Sequence, residues 1–239
     1  MTEKRYERNL GTIGKAGQEK LANSSVAIVG AGGLGGGVFE ILVRTGVGKI
    51  KIIDCDVFDE TNLNRQLLSS VSLIGTRKVD AAYARALEVN PGVKIIPVFE
   101  RLEEKNAAEI LFGADVVCDC VDSIDTRFII EHAAGDLRIP LVHAAIAGYE
   151  CRIAAIFPSD MTLEAIYGDP FAVPSRGIET SLGTPAFTAM QAAAIQAMET
   201  IRIITTGDSI LRKRLLRIEL DKLSSSIYAQ SSVGFFFAD

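Results

Sequence analysis

Residues 26–37 read VAIVGAGGLGGG and constrain the chain more than any other stretch. Val26, Ala27, Ile28 and Val29 form a short apolar run that stops at Gly30-Ala31-Gly32-Gly33-Leu34-Gly35, and residues 38–44 have helical character. Strand, glycine turn and helix with G-x-G-x-x-G spacing open a nucleotide-binding βαβ unit. The glycines let backbone approach phosphate oxygens, and the helix N-terminus offers unpaired N–H groups with a partial positive charge. A second run, Lys49-Ile50-Lys51-Ile52-Ile53, leads to Asp54, placed where an acidic residue reaches ribose hydroxyls. A glycine fingerprint alone carries little weight. Here strand, helix and acid all stand in their places, so the turn reads as a nucleotide cradle rather than a purely structural bend.

The rest of the chain extends this start. Residues 1–24 are polar, with a short helix expected within 14–21. A long irregular loop over 56–66 is read as functional, since compact α/β domains rarely keep such loops otherwise. Thr76 is the expected cap of a helix over 77–90, which Pro91 ends. A strand over 93–99, a helix over 105–112 and a strand over 115–119 follow. Asp122 or Ser123 caps a helix over 124–137, and a strand returns over 139–145. Apolar strands alternating with helices predict an α/β fold: a Rossmann-like, mostly parallel sheet with helices on both faces. In such sheets ligands bind outside the carboxyl ends of the strands, where Gly35, Asp54 and Asp122 are expected to converge.

Beyond residue 150 the alternation stops, and an antiparallel C-terminal extension of the sheet is expected. It comprises a strand over 152–157, a loop over 158–184, an Ala-rich helix from Pro185 to about Thr205 ended by Gly207, and a last strand over 215–220. The apolar end, Gly234-Phe235-Phe236-Phe237-Ala238, can dock on a partner or cap the core. The chain is read as one domain, 1–239, with an N-terminal arm (1–24), a Rossmann-like core (25–150) and the extension (151–239).

Composition removes several function classes. A net charge of −5 with no basic stripe argues against nucleic-acid binding. The N-terminus is too charged for a secretory signal and no run approaches the roughly 20 apolar residues of a membrane span, so a cytoplasmic protein is expected. Cys55, Cys118, Cys120 and Cys151 contain no C-x-x-C pair and read as reduced, packed thiols. His132 and His143 read as structural, which leaves a hydride-transfer enzyme without an obvious acid or base. Arg5, Arg8, Arg65 and Lys78 instead bring several cations towards a phosphate turn, and Asp122 can hold Mg²⁺ through one carboxylate plus substrate phosphates. Such a set suits chemistry at phosphorus, where positioning and charge stabilisation supply most of the rate.

Ordered motifs carry the reading further. They are R-Y-x-R at 5–8, G-Q-E-K-L at 17–21, G-x-G-G-L-G at 30–35, G-V-G at 46–48, D-x-D at Asp54 and Asp56, and N-L-N-R-Q at 62–66. G-x-x-K-V at 75–79, N-P at 90–91, D-C-x-D at 119–122 and Q-A-M-E at 196–199 complete the series. With these the chain resembles the MoeB/ThiF/HesA family, relatives of the adenylating domain of ubiquitin-activating enzymes. The resemblance implies an adenylyltransferase that uses ATP and Mg²⁺. It would activate the terminal glycine carboxylate of a small ubiquitin-like sulfur-carrier protein of MoaD/ThiS type, ending in Gly-Gly, as an acyl-adenylate with release of pyrophosphate. It further implies that Gly30, Gly32, Gly33, Leu34 and Gly35 pack under the nucleotide and that Asp54, with Asp56 beside it, holds the ribose. Asn62, Arg65 and Lys78 would contact phosphates, Gln66 would shape their pocket, and Asp122 would ligate Mg²⁺. Arg8 would reach the phosphates of a neighbouring subunit, which implies a homodimer. The two C-x-x-C pairs that hold zinc in many members are missing, so the zinc-free branch and no zinc site are expected. The loop at 175–180 lacks the cysteine that can carry a covalent step, so adenylation alone, with a separate sulfurtransferase, is the expected activity. The competing readings are an idle carrier- or nucleotide-binding scaffold of the same fold and an NAD-dependent Rossmann oxidoreductase.

Overall fold

A computed structural model describes residues 4–158, 160, 163–172, 174–175, 177–231 and 234–237. Ser159, Met161 and Thr162, Arg176 of the loop at 175–180, and Ala238 fall outside them. The strands β1 (Ser25–Val29), β2 (Lys49–Ile53), β3 (Lys94–Val98), β4 (Val116–Asp119) and β5 (Leu141–Ala147) are joined through helices and pair in parallel. Then β6 (Glu150–Ile156), β7 (Arg214–Glu219), β8 (Ser224–Ser231) and β9 (Gly234–Phe237) pair antiparallel. The order is β3-β2-β1-β4-β5-β6-β7-β8-β9. The direction in which successive strands are added reverses between β1 and β4, the switch point where open α/β sheets bind ligands.

Period-two alternation feeds two cores. Val26 and Ile28 of β1 pack on one face with α1 (Leu10–Ala22), α2 (Gly33–Thr45), α3 (Lys78–Val89) and α8 (Ala186–Thr206). Ala27 and Val29 pack on the other with α4 (Glu104–Leu111) and α5 (Ile124–Asp136). Every residue of β1 and β4 is buried, as strands covered on both faces require.

Several expected boundaries change. The first helix is longer than expected, runs over Leu10–Ala22 and kinks at Gly14, whose φ is 73°. Thr76 is not the cap of α3; Arg77 takes that position without a side-chain bond. The physical reason is the returning 54–76 loop. Thr76 O accepts from Phe58 N and Thr76 N donates to Leu73 O, while Val57 bridges Arg77. For α5 the cap is Ser123, whose Oγ accepts from Thr126 N. The 158–184 loop contains two single-turn helices, α6 (Glu164–Tyr167) and α7 (Glu179–Leu182). The strand expected to be last is followed by β8 and β9, and β9 takes the backbone of 234–237 into the sheet. The α8 boundaries agree with the sequence: Pro185 stands at its start, and Gly207, with φ 81°, ends it. Among the described residues no helix is long and apolar enough to cross a membrane.

Candidate functional site

The β1–α2 turn closes so tightly that only glycine fits at its two ends. Gly30 has φ 94°, and a Cβ there would lie 2.6 Å from Cys120 O; a Cβ on Gly35 would lie 1.7 Å from Gly30 O. Gly30 N donates to Ile53 O (2.8 Å), so the ends of β1, β2 and β4 meet at one point. Beside them, Asp54 Oδ2 accepts from Ala31 N (2.7 Å) and Oδ1 from Asp56 N (2.8 Å). The carboxylate therefore braces the glycine turn and keeps lone pairs for further donors.

The loop after β2 supplies the opposite wall. Asp59 caps the short 3₁₀ turn Glu60–Asn62, and Asn62 Oδ1 closes that cap by accepting from Asp59 N (3.1 Å). Arg65 lies over the glycine turn: a Cβ on Gly33 would meet its Cγ at 3.4 Å and Ala189 of α8 at 3.5 Å. Its Nη1 donates to Thr61 O (3.1 Å) and Asn64 Oδ1 (2.8 Å). Gln66 is buried, with Nε2 3.7 Å from where a Gly32 Cβ would stand, and its Oε1 has no hydrogen-bond partner. The N–H₂ group faces the turn, and turning the amide over would aim the carbonyl there instead.

Lys78 opens α3 and is only 6% exposed. A buried ammonium needs a partner, and Asp56 Oδ2 provides one at 3.1 Å while Asp56 O takes the Lys78 amide. Asp56 is itself well exposed, and its bond uses one of the three N–H donors of the Lys78 ammonium. Asp122 is exposed in the turn that follows β4, two residues past the Cys120 carbonyl that Gly30 touches. Asp54, Cys55 and Asp56 form the one group of three potential metal ligands among the described residues. The Lys78 ammonium already neutralises Asp56 there.

Arg8 lies elsewhere. Its 3₁₀ turn, Lys4–Asn9, is fixed by Tyr6, whose hydroxyl accepts from Asn90 Nδ2 (2.8 Å) and whose ring lies against Gly46. Gly46 ends α2, 13 residues and about 20 Å from the glycine turn that begins it. The structure thus gathers the glycine turn, Asp54, Asp56, Asn62, Arg65, Gln66, Lys78 and Asp122 at one end of the sheet and leaves Arg8 at the other.

Behind Asp122 is a buried polar chain of which the motifs marked only Asp119, the first residue of D-C-x-D. Asp119 Oδ2 meets His143 Nδ1 at 2.6 Å, His143 Nε2 meets the Tyr167 hydroxyl at 3.0 Å, and Arg127 Nη1 donates to that hydroxyl at 2.5 Å. Because the hydroxyl accepts from Arg127, its proton goes to Nε2, and the Nδ1 proton goes to Asp119. Burial lowers the His143 pKa despite the opposing pull of Asp119, in agreement with a neutral ring, and pushes Tyr167 up to about 12. His143 is therefore structural, as expected. A signal was present: Asp119 and His143 are polar residues at paired positions of neighbouring apolar strands.

Cys118, Cys120 and Cys151 are buried free thiols, as expected, whereas Cys55 is only partly buried. Burial pushes Cys118 up to about 12, Cys151 to about 11 and Cys120 well above its ordinary value, and it also raises Cys55. None is poised as a thiolate near neutral pH.

With this geometry in hand, the ThiF family model matches residues 6–231. The chain belongs to the ThiF family. It is 33% identical over 217 residues to the SAMP-activating enzyme E1 of Haloferax volcanii, covering 89% of this chain and 79% of that protein. It is 39% identical over 152 residues to the sulfur carrier protein adenylyltransferase of Thermus thermophilus, covering 63% of this chain and 56% of that protein. Against relatives named adenylyltransferase and sulfurtransferase MOCS3, such as that of Drosophila yakuba, the chain spans about half their length (48%). E. coli MccB, in a crystal structure with MccA-N7isoASN, shares the fold with a TM-score of 0.83 at 21% identity, over 98% of this chain and 75% of that one. The ThiF assignment agrees with the resemblance carried by the motifs.

Proposed function

We propose that this ThiF-family chain is an adenylyltransferase that activates the C-terminal glycine carboxylate of a small ubiquitin-like sulfur carrier. The carrier carboxylate attacks the α-phosphorus of ATP, an acyl-adenylate forms, and pyrophosphate leaves. The observation that carries this reading is the gathering of Arg65 and Lys78 around the β1–α2 turn at the switch point, with an exposed Asp122 beside it. The names of the Haloferax and Thermus relatives point to the same substrate class.

The residues fit ATP and Mg²⁺. The glycines let backbone N–H groups at the start of α2 approach phosphate closely, and Arg65 and Gln66 lie against the same turn. Asp54 has oxygen lone pairs for ribose hydroxyls while it holds Ala31. Arg65 and Lys78 offset charge on the departing pyrophosphate, with Asn62 shaping the loop that carries Arg65 and Asp56 orienting Lys78. A divalent ion held by Asp122 would supply further charge neutralisation at the phosphates. Arg8 belongs, in this reading, to the site of a second copy, where a planar guanidinium can bind two phosphate oxygens at once. The chain acts as one domain, and a separate sulfurtransferase completes the transfer. Tyr167 and Ser175, described residues of the 158–184 loop, are bonded to α5 beside Asp122, and this side is the place for the carrier tail to enter.

The test is ATP–pyrophosphate exchange with candidate Gly-Gly carriers. Exchange that requires both ATP and a carrier with its terminal glycine is the expected outcome. Folded protein that binds ATP yet shows no exchange with any such carrier from the same organism would favour the idle-scaffold reading instead.

A further inference from the structure

The segment over 158–184 is fastened to the Asp122 turn through α5. Arg127 and Glu131 lie one helical turn apart on the same side of α5. Both grip the ends of α6: Glu131 Oε1 accepts from Leu163 N (2.5 Å), and Arg127 Nη1 donates to the Tyr167 hydroxyl. Arg127 Nη2 donates in turn to Val121 O (2.9 Å), the carbonyl immediately before Asp122. From the other side Asp119 Oδ1 accepts from Val121 N (3.2 Å), and Ile124 N, just after Ser123, donates to Ser175 O (2.8 Å). The Asp122 turn is thus held between Arg127 and the overlying segment. Arg127 is 7% exposed, and its Nε makes no hydrogen bond but lies 3.8 Å from Oδ2 of the buried Asp119, so the guanidinium also neutralises that carboxylate. Its two Nη groups are what join the Asp122 turn to the overlying segment.

We propose that Arg127 is a positioning residue for Asp122, itself set by Tyr167, so that the seating of the overlying segment fixes the geometry of the carboxylate that meets Mg²⁺. The chain of bonds has one direction. Arg127 donates to Tyr167, Tyr167 donates to His143, and His143 donates to Asp119, which also holds Val121. Removing the single hydroxyl in the middle frees Arg127 Nη1 and leaves His143 Nε2 without a donor. Displacing α6 does the same, so a carrier tail entering under the segment would be felt at Asp122. The proposal rests on the assignment of Asp122 made above and adds to it a link between the tail-binding side and the metal side of the site.

The probe is ATP, titrated by calorimetry into the whole protein in the presence of Mg²⁺ and, separately, of EDTA. Wild type is expected to bind ATP more tightly with Mg²⁺, and Asp122→Asn to lose that gain. Tyr167→Phe keeps the ring over Arg127 and removes only the hydroxyl. It is expected to cut the Mg²⁺-dependent gain by about fivefold or more, leave affinity in EDTA unchanged, and add nothing further in the double variant with Asp122→Asn. Arg127→Lys keeps the charge but cannot span Val121 O and the Tyr167 hydroxyl with one planar fork. It is expected to behave alike and serves if Tyr167→Phe does not fold. A wild-type Mg²⁺ gain in both variants, with Asp122→Asn losing it, overturns the positioning role and leaves the adenylation reading intact. A Mg²⁺ gain that survives in Asp122→Asn, or none in wild type, removes the Asp122 assignment and the proposal with it.

Discussion

Glu131 faces the overlying segment from α5, and burial pushes its carboxyl from the ordinary 4.5 up to about 7, with Asp119 and Glu164 adding repulsion and the Leu163 amide pulling the other way. Between those two values the folded chain holds a proton that the unfolded chain has released. Stability therefore falls as pH rises from about 4.5 to about 7 and is level above. Glu131→Gln keeps an acceptor for Leu163 N and removes the titration. Its stability advantage over wild type is expected to grow across that window to at most about 3 kcal/mol, read from urea midpoints at pH 5, 6, 7 and 8 (roughly the range over which such a shift acts). Parallel midpoints for the two proteins at all four values would show that the Glu131 carboxyl is not perturbed by burial.

At the scale of elements, the glycine run continues past the β1–α2 turn because α2 must approach α8. A Cβ on Gly37 would stand 2.7 Å from Ala193 Cβ, whereas one on Gly36 would meet the Leu68 side chain at an ordinary 3.4 Å. Gly37→Ala is expected to cost about 1–3 kcal/mol through overpacking. Gly36→Ala is expected to be neutral or to gain up to about 1 kcal/mol from helix propensity. Thermal unfolding of the two variants decides the matter, and equal effects would contradict the packing account. The same contrast explains what could be read in advance. The strands, α8 and its Gly207 stop, and the turn carrying Gly30 and Gly35 are written locally, in period, caps and glycine spacing. β8, with Ser224, Ser225 and Ser226, has little apolar signal and becomes a strand only because β7 offers it an edge. The Asp119–His143–Tyr167–Arg127 chain includes a bond between residues 40 apart, so only Asp119, in D-C-x-D, stands in a local motif. Thr76 failed as a cap because a distant residue, Phe58, took its carbonyl.

On the scale of the whole molecule, the two ends of α2 separate the residues that the proposed function brings together. The β1–α2 turn begins the helix, and Tyr6 and Asn90 hold the Arg8 segment at its far end. The Tyr6 anchor, two residues from Arg8, is separated from the turn by the full length of α2, about 20 Å. Under the proposed function two copies would act together: one chain would carry the turn, Arg65, Lys78 and Asp122, and its partner would contribute the Arg8 guanidinium. The most direct measurement mixes Arg8→Ala subunits with Asp122→Ala subunits, each expected to be inactive alone, and follows carrier-dependent ATP–pyrophosphate exchange. In a mixed dimer one site combines an intact Asp122 with an intact Arg8 from across the interface, so the account predicts that exchange returns on mixing. Mixed dimers that remain inactive, with subunit exchange verified, would contradict it.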